Sequence, residues 1–147
     1  MTNHTTLKKM AREAKKHSFQ LAAAASCQKN HALKALANNL NNNRHKISTA
    51  NHMDLALGKS KGLNDALLER LSLENKLDGI IQDIENIILL PDPIGETFDE
   101  HNLPNQLHLA KHRTPIGVLG VIYESRPNVT IDISALTINN VNMVLIP

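Results

Sequence analysis

Pro91 and Pro93 divide this chain into two stretches with different hydrophobic periods, and that change limits the fold more than any other feature. Up to Leu90 the apolar residues recur every three or four positions, as in helices packed on one face. After Pro93 they alternate or run together over short stretches, as in strands. A proline pair cannot continue a helix, since each ring removes an amide donor and clashes with the preceding turn. The chain therefore reads as a helical layer followed by an α/β part.

The helical stretch has its own punctuation. Leu7, Met10, Ala11, Ala14, Leu21, Ala22 and Ala25 mark a first helix, with Thr5 and Thr6 as candidate caps. Ser26 is placed to cap a second, carrying Leu33, Leu36, Ala37, Leu40 and Ile47 on one face. The asparagines at 38, 39 and 41–43 have low helix propensity and are expected to weaken it. Gly58 and Gly62 break the next stretch, and Asn64 caps a short helix through Leu67, Leu68 and Leu71. Ser72 is expected to open a longer helix whose stripe is Leu73, Leu77, Ile80, Ile81, Ile84, Ile87 and Ile88.

Beyond Pro93, residues 94–100 and 106–113 read as a hairpin around Asn102-Leu103-Pro104-Asn105. The apolar run 116–123 reads as a buried parallel strand, residues 129–138 as a helix and residues 143–146 as a second strand. Strand, helix and strand make one crossover unit, the start of a parallel sheet. A two-stranded parallel sheet covers neither of its faces, so the architecture is expected to be truncated.

Composition excludes several classes. Aromatics are 2% of the 147 residues (Phe19, Phe98 and Tyr123), so any core is built from Leu, Ile, Val and Ala. A net charge of +2 is too small for a nucleic-acid surface. Lys8, Lys9, Arg12, Lys15 and Lys16, with Glu13 among them, read as a solvated helix face. The single cysteine, Cys27, fits a reducing, cytoplasmic setting, and no apolar run approaches the ~18 residues of a membrane span.

Candidate chemistry is sparse. Cys27 sits at a helix start, which favours a thiolate, but no base is recognisable beside it. His108 and His112 would share a strand face, with no carboxylate or thiol to complete a metal site. Gly117 and Gly120 lie within a strand run, where they permit close backbone packing instead of forming a phosphate loop. Tyr123, Ser125, Arg126 and Asn128 follow the carboxyl end of a parallel strand, where open α/β sheets bind ligands. Arg126 suits bidentate capture of a phosphate or carboxylate, and Ser125 or Asn128 can donate hydrogen bonds. The competing reading is a structural loop with Arg126 paired to Glu124 or Asp132.

The segment Arg113-Thr-Pro-Ile-Gly-Val-Leu-Gly-Val-Ile-Tyr-Glu-Ser-Arg-Pro-Asn-Val-Thr-Ile-Asp132 resembles the signature of the γ-glutamyl phosphate reductases, a branch of the aldehyde dehydrogenase superfamily. Further matches are Gln28-Lys29-Asn30, Asn51 with Asp54-Leu55, the run Gly62–Leu71, Leu90-Pro-Asp-Pro-Ile-Gly-Glu96 and Leu103-Pro-Asn105. The resemblance implies a truncated aldehyde dehydrogenase fold. Residues 1–93 would be the helical part of an NADP-binding domain, 94–114 a β-hairpin arm that joins subunits of a homo-oligomer, and 115–147 the start of that domain's Rossmann-like sheet. It also implies NADPH-dependent reduction of L-glutamate 5-phosphate to L-glutamate 5-semialdehyde and phosphate, in proline synthesis. The nucleophilic cysteine of such enzymes is expected beyond residue 147, so the chain carries no catalytic residue of its own. Tyr123, Ser125, Arg126 and Asn128 are the expected cofactor or substrate contacts; no metal, nucleic acid or membrane is implied.

The pattern departs near the end. A lysine, a glycine and a basic residue of the family stand here as Asn139, Val141 and Pro147. The end of this last strand lies near the cofactor's adenosine side in the superfamily, so these changes weaken the case for dinucleotide binding. An inactive enzyme fragment, a non-enzymatic helical interaction module and the remnant of a decayed gene are the three readings open to the sequence.

Overall fold

The structure, a computed structural model, describes residues 4–140 and 142–145. Helix α1 (His4–Ala22) already contains Thr5 and Thr6, which therefore lie within its first turn and do not cap it. Its buried face is made of the small residues Ala14 and Ser18, one turn apart, while Leu7 and Met10 stay largely exposed. Small side chains there let α1 lie close on the short parallel sheet described below.

Helix α2 (Ser26–Asn42) begins one residue after its cap. Ala25 is the cap, and the Gln28 side-chain carbonyl accepts the Ala25 N–H at 2.9 Å. Ser26 is thus not the cap; its hydroxyl is used elsewhere. The asparagine run breaks the helix outright: Asn43 donates its side-chain amide to the Asn39 carbonyl at 2.8 Å, and Arg44 opens α3 (Arg44–Ser60). Ile47 therefore belongs to α3 and not to the α2 stripe.

Asn64 caps α4 (Asp65–Leu71) by accepting the Leu67 N–H at 2.9 Å. α3 is fastened to the far end of α4 by Asn51, which is 6% exposed. Its amide donates to the Leu71 carbonyl at 2.9 Å and its carbonyl accepts the Leu73 N–H at 2.8 Å. Asn51→Ala leaves both backbone groups without that partner, so a loss of roughly 1–3 kcal/mol is expected in urea unfolding. An unchanged midpoint would mean that these bonds add no net stability.

Ser72 does not open a helix. Its hydroxyl accepts the Glu74 N–H at 3.2 Å, Asn75 turns with φ 57°, and α5 (Leu77–Leu89) starts only after that turn. Leu73 is consequently outside the α5 stripe. Leu77, Ile80, Ile84 and Ile87 are its buried members.

The core is formed where α2 and α5 meet α6 (Pro127–Asn139). Leu33, Ala37, Ile84, Ile87 and Ala135 are its buried centre, flanked by Leu36, Leu40, Ile81, Ile88, Ile131 and Ile138. Helix α6 starts with Pro127, whose missing N–H costs nothing at a first helical position.

The hairpin pairs β1 (Thr97–Asn102) with β2 (His108–His112) in antiparallel register, Thr97 opposite His112 and Asn102 opposite His108. An irregularity between Phe98 and His101 coincides with Asp99 at φ 53°. Both strands start later than the apolar pattern implies, and the turn runs through Gln106 at φ 68°, whose N–H reaches the Leu103 carbonyl at 2.8 Å. The parallel sheet joins β3 (Val118–Gly120) to β4 (Met143–Leu145). β3 is shorter than the apolar run because only these residues meet a partner strand; Ile116 and Ile122 are 76% and 90% exposed. Ile146, Val141 and Pro147 lie outside the described residues.

Candidate functional site at the carboxyl end of the first parallel strand

The chain leaves β3 at Gly120 and enters α6 at Pro127. Between them Tyr123 turns its hydroxyl onto the Thr130 hydroxyl, which ties the segment to the first turn of α6. Ser125 is held at φ 52°, a left-handed conformation uncommon outside glycine. Arg126 is the cap residue of α6, and its carbonyl accepts the Val129 N–H at 3.1 Å. Asn128 donates its side-chain amide to the Asp132 carboxylate at 3.2 Å.

These bonds sort the four residues into two pairs. Tyr123 and Asn128 are turned inward and hold the loop. Ser125 and Arg126 remain at its rim, and Arg126 is exposed. Among the described residues Arg126 has no ion pair, with Glu124, Asp132 or any other acid. The guanidinium therefore stands at the amino end of a helix, where backbone dipoles and a cation favour the same anionic group. The Asp132 carboxyl is raised above its usual range, mainly by burial; the Asn128 bond opposes this, and the nearby Asp83 charge adds to it.

A second polar cluster has no counterpart in the sequence reading. The Lys29 side chain is 2% exposed and forms an ion pair with Asp92. Its ammonium also donates to the Asn139 carbonyl at 3.3 Å. Asp92 further accepts from the Ser26 hydroxyl at 2.6 Å and the Ile94 N–H at 3.1 Å. Burial pushes the Asp92 carboxyl up, yet bonds from Lys29, Ser26 and Ile94 and the Lys29 charge together bring it below the usual range. Its contribution to stability is thus present above about pH 3.9 and lost as the pH falls through the lowered value. The signal was available in part: Lys29 and Asp92 each belong to a matched motif, Gln28–Asn30 and Leu90–Glu96.

Other candidates resolve plainly. Cys27 is exposed in the first turn of α2, and among the described residues no hydrogen bond reaches its sulfur. His108 does have a carboxylate neighbour, Glu100 of the facing strand at 3.6 Å, contrary to the sequence reading. His112 bonds the Thr97 hydroxyl at 2.8 Å. Among the described residues no three His, Cys, Asp or Glu side chains converge on a metal position. Gly117 needs its freedom, with φ 111° and its N–H on the Asn142 side-chain carbonyl at 2.8 Å. Among the described residues nothing lies within 4 Å of a Cβ placed at Gly120. Asn139 is 5% exposed at the entrance to β4, beside Lys29, and so is separated from the exit of that strand. Lys8, Lys9, Arg12 and Lys16 are exposed, and Lys15 stacks over the Phe19 ring at 5.0 Å. No described helix is long and apolar enough to cross a membrane.

No family model matches the chain. It is 49% identical over 137 residues, 92% of its length, to a gamma-glutamyl phosphate reductase of Psychromonas ingrahamii. Against the gamma-glutamyl phosphate reductase of Vibrio cholerae it is 47% identical over 138 residues. It covers 33% of each of these relatives. Among solved structures, the gamma-glutamyl phosphate reductase of Thermotoga maritima superposes with a TM-score of 0.89 at 35% identity, over 95% of this chain and 34% of that one. The Saccharomyces cerevisiae enzyme gives 0.93 at 34% identity, over 97% and 36%. The chain is thus related along nearly all of its length to gamma-glutamyl phosphate reductases, and spans about a third of theirs.

Proposed function

We propose that this chain forms the N-terminal part of an enzyme that reduces L-glutamate 5-phosphate with NADPH to L-glutamate 5-semialdehyde and phosphate, a step of proline synthesis in the cytoplasm. The observation that carries this reading is 49% identity maintained over 92% of the chain, with no long region set aside. Residues 1–93 and 115–147 would belong to the cofactor domain, and residues 94–114 would form an arm between subunits of a homo-oligomer.

In that enzyme a thiolate would displace phosphate from the acyl phosphate, and a bound NADPH would supply hydride. The part of this chain is positioning. Arg126 offers a charge-assisted fork to a phosphate or carboxylate, and Ser125 adds a hydroxyl at the same rim. Tyr123 and Asn128 fix the loop that presents them. The described residues do not by themselves fit a dinucleotide. Arg126 is a single exposed cation at the amino end of α6, and Asn139 is buried away from the sheet's carboxyl edge.

The 147-residue polypeptide is expected to have no turnover in phosphate-dependent NADP⁺ reduction with glutamate semialdehyde. Its one thiol, Cys27, is exposed and has no base among its described bonds. Turnover that survives Cys27→Ala would contradict this assignment of roles, and turnover abolished by that substitution would make Cys27 the nucleophile.

A further inference from the structure

The buried Lys29 ammonium is not used by the proposed reaction, and its partners come from distant parts of the chain. The bonded partners Ser26 and Asp92 are 66 residues apart, and Lys29 and Asn139 are 110 apart. α2 itself is immobilised by Leu33, which is 0% exposed, one turn beyond Lys29. On one side of the ammonium, Asp92 holds the Ile94 N–H, and the next residue, Gly95, starts the hairpin root by donating to the Arg113 carbonyl at 3.0 Å. On the other side the Asn139 carbonyl ends α6; the Asn142 N–H then donates to the Thr137 carbonyl at 2.8 Å, and its side-chain carbonyl accepts the Gly117 N–H at 2.8 Å. A single cation thus stands between the root of the hairpin and the corner that aligns β4 with β3.

We infer that Lys29 and Asp92 form a latch that makes the hairpin root and the α6–β4 corner move as one body, with α2 as the fixed point. A buried charge stripped of its partner must be expelled or solvated, so neither contact can be given up alone. Loosening either side then frees the other, although among the described residues no hydrogen bond joins Asp92 to Asn142 or Lys29 to Gly95. The inference stands independently of the reaction proposed above.

Amide hydrogen exchange on the 147-residue polypeptide tests it, with Lys29→Met, Asp92→Asn and the double variant. Each single substitution is expected to speed exchange about tenfold or more at the Gly95 and Arg113 amides and at the Asn140 and Asn142 amides together. The Leu73 amide, held by Asn51, should keep its rate. The double variant should be no faster than the faster single one, as for two residues acting through one contact. Acceleration on one side only, or additive effects in the double variant, would overturn the latch. Asp92→Asn is the milder change; equal acceleration at Leu73 in that variant would reduce the pair to a general stabiliser.

Discussion

Ile84→Ala is expected to lower the unfolding free energy by about 2–5 kcal/mol, a large part of the ~5–15 kcal/mol that holds a domain of this size together. Ile84 is 1% exposed and sits where α2, α5 and α6 meet, among Leu33, Ala37, Ile87 and Ala135. Removing its outer carbons forfeits transfer free energy and leaves a cavity. The walls of that cavity belong to separate helices, which cannot all close on it at once. The described core residues around it are all Leu, Ile or Ala, so none of them brings an aromatic ring to fill the space. Leu89→Ala on the same helix is the matched control. Leu89 is 82% exposed, so its truncation should stay within about 0.5 kcal/mol. Urea unfolding followed by circular dichroism reads both, and a shift for Ile84→Ala no larger than for Leu89→Ala would place the core elsewhere.

The α5 stripe was legible because its period is local: Leu77, Ile80, Ile84 and Ile87 fall on one face whatever surrounds them. Asn64 was legible for the same reason, as a cap depends on three following residues. Ser26 and Ser72 carry the residue type of an N-cap, but neither is the N-cap of a helix. The same hydroxyl also serves a distant carboxylate or a tight turn, and only tertiary structure chooses between these. The apolar run around Val118 shows the same limit, since strand length is set by the partner and not by hydrophobicity. Within the candidate site the sequence put Tyr123–Asn128 directly after the first parallel strand; that strand ends earlier, at Gly120, and Arg126 is the cap of α6. The sequence did not show that Tyr123 would turn to Thr130 or Asn128 to Asp132, because helix α6 decides both. The Lys29–Asp92 pair was least accessible. Its members look like ordinary surface residues until α2 and the proline turn are brought together.

The second large effect concerns the cofactor. The superfamily resemblance leads to a glycine and a cation where this sequence has Val141 and Pro147. Losing one charge-assisted contact costs about 1.5–3 kcal/mol, roughly ten- to a hundredfold in affinity. The isolated polypeptide should accordingly show no micromolar binding of NADPH in a calorimetric titration. In a complete enzyme carrying this segment, the same loss should appear as a raised KM for NADPH. Restoring Val141→Gly and Pro147→Arg together should recover most of it.

A chimera measures the relation itself. Residues 1–147 replace the matching third of the Psychromonas ingrahamii enzyme, with which they are 49% identical over the aligned 137 residues. Phosphate-dependent NADP⁺ reduction with glutamate semialdehyde is then assayed with and without the Val141→Gly, Pro147→Arg pair. The expected result is turnover in the chimera, with an NADP⁺ KM about ten- to a hundredfold above the parent that falls back when the pair is restored. A chimera that folds and assembles like its parent but has no turnover, even with the pair restored, would contradict the assignment of this chain to the reductase.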